Sequence, residues 1–390
     1  MSISAQLAAA LRTDEYERSD RVELWSVATG LKLADFEAEA VSVKDDGDQY
    51  STCDVSGGSF AGLIPTSVVS GTNRNYGDGT EGSGTYGGSA RRSLRGFLLP
   101  AKTEARLFYD AQLPDGTVET VAQGRYVVSE VEWADDGTDE PPVSFSGGDA
   151  LRRLSLASYV QPFTRKGITF GQAITELIHD ALPSITVLVT TPTTELIGRV
   201  VFGTGDNDNR LDDLRSLAQG AGWRVRMDGD GAVVVEPIPT VLGAPVWSFD
   251  DGEQGVNVAL TMKLSDEDLY NGVRVRIDRG EAAPIIATVI DTTGAYSPTE
   301  IGITKLLPIS PAGVSTQGQA QAAGVAELAK SGGIVERYEI TSLHLPHLRP
   351  GAVVRVRSER LGVDFTTVLD ARSFGFAHNQ DTTVSVVRRG

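Results

Sequence analysis

Apolar residues recur with a helical period from Leu211 to Ala218, and with a strand period immediately afterwards. Leu211, Leu214, Leu217 and Ala218 share one helical face. Gly220 and Gly222 follow, and glycine accepts the left-handed backbone that ends a helix. Trp223, Val225 and Met227 then alternate with Arg224 and Arg226, which predicts a half-buried strand. Asp228-Gly229-Asp230-Gly231 turns the chain, and Val233 to Val235 return as a second strand that Pro237 ends. The segment predicts a helix and a hairpin, with Trp223 packed on Leu214 and Leu217.

Around it the pattern is mostly of strand type. Ile3, Leu7 and Leu11 predict a short amphipathic helix within residues 1–20, packed on this chain or on a neighbouring subunit. Residues 21–149 read as a first β-barrel-like domain. Val22 and Leu24 alternate with Glu23 and Trp25, and Phe36, Ala38, Ala40 and Ser42 form one face of a second run. Asp45-Asp46-Gly47-Asp48 is read as a turn, and further strands are expected near Ala105–Ala111, Gly124–Trp133 and Val143–Phe145. Residues 150–240 read as a small α/β domain with a helix over Thr169–Leu182 and a strand over Ile185–Val189. Residues 241–390 return to β character as a second barrel-like domain, with an Ala-rich helix inserted at 317–330. The expected class is mainly β with α+β: two β-barrel-like domains flanking a small α/β domain.

Residues 70–89 interrupt the first domain with Gly, Ser, Thr and Asn, and carry Tyr76 and Tyr86. Such a segment buries too little to order itself. It is a surface loop, or an arm that orders against a neighbouring subunit through its tyrosines.

Composition narrows the function classes. The chain has 390 residues and a formal net charge of −17. Adhesion to nucleic acid runs on basic groups that release counterions, so tight nucleic-acid binding is not expected. The single cysteine, Cys53, rules out an intrachain disulfide and reads as a small apolar strand residue. No run reaches the roughly 18 apolar residues of a membrane helix, and the N-terminus lacks a signal-peptide pattern.

No candidate chemistry rises above its bland alternative. His344 and His347 have an H-x-x-H spacing, but Pro346 and Pro350 deny the helix that would align them. His179 reads as a helix-end or packing residue. Asp206 to Asn209, with Asp212 and Asp213, lack the glycine and distal glutamate of a calcium loop and read as helix-capping residues. Asp266 and Asp268 are one acidic pair among many. No catalytic, cofactor-binding or metal-ligating residue is assigned.

Four stretches, taken in order, carry a resemblance. They are Phe145-Ser146-Gly147-Gly148-Asp149-Ala150-Leu151 with Leu154, Gly167–Phe170 with Ala173, Ile174 and Ile178, and Leu211–Pro237. The fourth is the C-terminal set of Tyr270-Asn271-Gly272-Val273-Arg274-Val275, Gln319–Lys330 and His347-Leu348-Arg349-Pro350-Gly351 running into Val353–Val356. Together they resemble the baseplate hub, or tail-hub, family of tailed bacteriophages, from Ser144 onward. The resemblance implies a structural, non-enzymatic virion protein: a homotrimer whose two barrels per subunit form a six-part ring closing the host-facing end of the tail tube. It implies a DNA exit channel, for which an acidic protein is suited, and assembly in the host cytoplasm. Implied partners are the tail-tube or distal-tail protein, the tape-measure protein and tail-fibre or receptor-binding proteins, with no cofactor. The alternatives are another tail-tip component, such as a distal-tail or receptor-binding protein, and a wall-degrading tail enzyme. Some relatives carry a fused peptidoglycan hydrolase; with a strand-like run up to Gly390, none is expected here.

Overall fold

A computed structural model describes residues 3–13, 16–47, 49–57, 98–133, 143–204, 209–239, 242–251, 257–376 and 382–389. The expected arm at 70–89 and the residues Asp206 to Asp208 lie outside them.

Helix α1 (Ala5–Thr13) leads into β1 (Glu17–Ser26), β2 (Lys32–Phe36), β3 (Ala40–Asp46), β4 (Thr52–Ser56), β5 (Thr103–Gln112), β6 (Val118–Trp133) and β7 (Val143–Gly148). The middle of the chain holds α2 (Ala150–Leu156), β8 (Phe163–Arg165), α3 (Phe170–Ala181), β9 (Val187–Val189), β10 (Val200–Phe202), α4 (Arg210–Ala221), β11 (Trp223–Met227) and β12 (Val233–Pro237). Then come β13 (Trp247–Asp250), β14 (Asn257–Tyr270), β15 (Gly272–Arg279), β16 (Ala282–Ile290), α5 (Pro298–Ile301), β17 (Leu306–Ile309), α6 (Gln317–Ser331), β18 (Gly333–Ser342), β19 (Val353–Ser358), β20 (Val363–Phe376) and β21 (Thr382–Arg389). The fold is mainly β, built around large antiparallel sheets, as the alternating pattern predicts.

The main sheet runs β14-β18-β21-β20-β3-β4-β7-β6-β5-β1-β2, with β19 attached to β20 and β13 to β19. Its N-terminal and C-terminal strands meet where β3 pairs with β20 antiparallel. The sheet buries two cores. Val22, Leu24, Val43 and Phe145 belong to the first, and Trp247, Tyr338, Ile340, Val354 and Val384 to the second, together with Tyr109 and Val121 from β5 and β6. Helix α1 enters the second core through Leu7 and Leu11, so it packs on its own chain. Ser4 Oγ accepts from Leu7 N and caps it.

The middle segment follows the predicted pattern closely. Thr169 and Gln172 form a capping box at the start of α3. Asn209 accepts from Leu211 N at the start of α4, which ends at Gly222 with φ of 70°. β11 pairs with β12 from Trp223↔Pro237 to Met227↔Val233, and β9 joins β12 in parallel. Trp223 is 7 % exposed and shares a core with Leu214 and Leu217. The strand expected over 185–189 is confined to Val187–Val189.

Two local expectations are corrected. The run from Phe36 to Ser42 is two strands, and in β3 the buried side is Val41, Val43 and Asp45, opposite in phase to Ala40 and Ser42. Asp45 and Asp46 belong to β3, and the turn begins after them. A one-residue change of phase exchanges the two faces of a strand, and short polar residues gave no strong phase signal here.

Candidate functional site

The buried polar cluster at the β3–β20 seam ties three distant parts of the chain together. Asp45 and Arg372 are ladder partners, and Arg372 Nε donates to Asp45 Oδ2 at 2.6 Å. Arg349, in the loop before β19, donates from Nη1 to the same oxygen at 3.2 Å. Tyr126 on β6 donates its hydroxyl to Asp45 Oδ1 at 3.2 Å. Arg372 Nη2 also donates to Gln123 Oε1, and Gln123 Nε2 donates to the carbonyls of Val121 and Pro346. Arg349 further reaches the carbonyls of Ala122 and Gln123.

The middle segment docks on this cluster through backbone that only glycine allows. A Cβ on Gly229 would run into the Ala122 carbonyl, and would lie 2.7 Å from Arg349 Nη2. Arg224 donates to the Gly351 carbonyl at 3.0 Å while Glu236 holds Arg224 and Arg226. Burial alone would raise the Glu236 pKa, but its hydrogen bonds and charge interactions with Arg226 and Arg224 hold it below the ordinary value. Beside the cluster lies a cavity of about 20 Å³ lined by Asp45, Tyr126, Asp149 and Arg349, room for one water.

The three histidines and the cysteine singled out in the sequence have packing or helix-end places. His344 sits between Tyr109 and Phe374, with ring centroids 5.0 and 4.9 Å away, and its Nδ1 meets Thr382 Oγ1 at 2.8 Å. His347 packs edge-on against Trp247. Burial, then nearby arginine charge, pulls both imidazoles down in pKa, His347 to about 4. Among the described residues, no three His, Cys, Asp or Glu side chains gather in a metal-binding group. His179 lies in the last turn of α3, where Nε2 meets the Ile185 carbonyl at 3.0 Å. Cys53 is fully buried in β4, and burial pushes its thiol pKa up, which keeps it inert. Asp266 is exposed on β14; the side chain of Asp268 lies outside the described residues.

The residues that matter most to the seam, Asp45, Gln123 and Arg372, carry no sequence motif. Arg349 lay in the stretch His347–Gly351 and Asp45 in the expected turn Asp45–Asp48, and neither pattern marks a buried charge. A buried charge is visible as such only once its partners are known.

A second feature is exposed. β14 is the last strand of the main sheet, and its register with β18 sets Leu260 opposite Ile340 and Met262 opposite Tyr338. Directly opposed residues share a face. Tyr338 and Ile340 are fully buried, yet Met262 is 38 % and Leu264 53 % exposed on that same face. The apolar face of the sheet therefore overhangs its own core.

No family model and no curated protein matches this chain. Solved structures do match over nearly all of it. The tail protein of Neisseria meningitidis has 14 % identity and a TM-score of 0.63, over 95 % of this chain and 97 % of the other. A prophage tail protein of Shewanella oneidensis has 15 % identity and a TM-score of 0.59, over 95 % and 98 %. A prophage tail protein of Listeria monocytogenes has 11 % identity and a TM-score of 0.56, over 95 % and 94 %. At these identities the likeness is one of fold, and the fold of this chain is that of phage tail proteins.

Proposed function

We propose that this chain is a structural component of a tail tip, a baseplate hub that closes the host-facing end of a tail tube as a homotrimer. The observation that carries the reading is the fold shared with three tail proteins over about 95 % of this chain. In this reading residues 21–149 and 241–390 are the two barrel-like units, and 150–240 is the α/β unit between them. Two such units in each of three copies give six similar faces for a six-fold tube, and the net charge of −17 suits a passage from which DNA must slide free. The tail-tube or distal-tail protein, the tape-measure protein and tail fibres are the proposed partners. The role is one of shape, without catalysis.

The overhanging face of β14 supports self-association, because soluble chains seldom leave the apolar face of a sheet exposed without a partner for it. Electron microscopy of tails carrying a label on this chain tests the reading. Three labels at the host-facing tip are expected. A single copy, or labels along the tube, would overturn it.

A further inference from the structure

The main sheet stops at β14 before its apolar stripe does. Leu260 is partly buried against the second core, and Met262 and Leu264 continue the stripe into solvent. Asp266 follows on the same strand, exposed, and the sequence continues with Glu267 and Asp268. The surface is an apolar stripe with an acidic end.

A complementary surface lies on the three-stranded sheet β16-β15-β17. One side of this sheet is covered by α6, whose Ala320 shares a core with Val273, Val275 and Ala287. The register Arg274↔Thr288 and Arg276↔Ile286 puts those four residues on the other side. There Ile286 is 45 % and Ile290 42 % exposed, and Arg274 and Arg276 are exposed beside them. On this surface Arg274 lies between the two isoleucines, and Arg276 is paired with Asp278 at 3.0 Å. Two apolar sheet faces stack well, and an acidic side chain set against Arg274 adds a directional contact.

We propose that the apolar face of β14 in one copy packs on the outer face of the β16-β15-β17 sheet in the next copy, with Asp266 directed to Arg274. The two patches differ, so the contact is head-to-tail; contacts of this type close into rings when the rotation allows. The inference rests on the self-association in the proposed function, and adds which faces make it. The occupant is a second copy of this chain because both halves of the match, apolar and charged, stand on this one sequence.

Cysteine cross-linking tests it. Cys53 is fully buried, so an introduced thiol is the reactive one. Met262→Cys chains and Ile286→Cys chains are treated with a short bismaleimide, singly and as an equimolar mixture, while native mass spectrometry counts copies. Covalent dimers in the mixture, absent from either variant alone, and closed covalent rings from the double variant are expected. Asp266→Arg should reduce the yield, and Asp266→Arg with Arg274→Asp should restore it. Dimers from one variant alone would mean a two-fold contact and overturn the proposal. Oligomers without cross-links would overturn it too, by moving the ring to other faces while leaving the hub reading in place. A chain that stays monomeric, both purified and in assembled tails, would overturn both.

Discussion

Asp45 and Arg372 face each other across the β3–β20 ladder, 327 residues apart in sequence, and both are buried. Their pair, with Arg349 as a second cation on the same carboxylate, is the polar centre of the seam between N-terminal and C-terminal strands. A buried charge that loses its partner is far more costly than the pair itself is stabilising.

Breaking this cluster should therefore destabilise the whole chain. Arg372→Met leaves Asp45 with Arg349, and should cost about 3 kcal/mol, the lower end for a broken buried pair. Asp45→Ala removes the carboxylate both guanidinium groups share and should cost more, about 5 kcal/mol. Urea denaturation of the two variants checks the order. Equal, small losses would show that the cluster is hydrated and weak.

Trp223→Ala should cost about 3–5 kcal/mol, because the indole fills the core under α4 and the cavity cannot collapse fully. An unchanged melting temperature would contradict the packing.

Two glycines in helices should respond in opposite directions to alanine. Gly318, near the start of α6, has open space where a Cβ would go, so Gly318→Ala should stabilise by up to about 1 kcal/mol. Gly220, in the last turn of α4, would drive its Cβ into the Ala312 carbonyl, so Gly220→Ala should destabilise despite the better helix propensity. Thermal melts of the pair settle the sign.

Stability should fall on mild acidification. His344 and His347 are held neutral by burial, so below the ordinary histidine pKa of 6.5 the unfolded chain takes up protons that the folded chain refuses. Each group then costs about 1.4 kcal/mol per pH unit, for His347 down to its folded pKa of about 4. Asp149 acts the other way. Burial raises its pKa to about 6 from 3.8, so between those values the folded state holds the extra proton and gains stability as pH falls. The melting temperature should drop between pH 7 and 5, more steeply in Asp149→Asn, which keeps the cap on α2, and less steeply in His347→Phe. A flat profile in all three would contradict the burial of these groups.

Local structure was legible in the sequence wherever one face of one element decides it. The helix from Leu211, its glycine stop and the Trp223 hairpin could be read directly, because helical and strand periods state which side is apolar, and turn residues state where the chain reverses. Asn209, read as a capping residue, caps α4 for the same local reason, while Thr169, read as the first residue of its helix, is the N-cap of α3. What the tertiary structure decided is non-local. Asp45 read as a turn residue because its two arginines and Tyr126 come from remote segments, and the strand carries it inward only when β20 pairs beside it. The exposed end of the β14 stripe could not be read either, since alternation says that a face is apolar but not that its sheet ends there. Strand pairing fixes both, and no periodicity within a single strand encodes its neighbour.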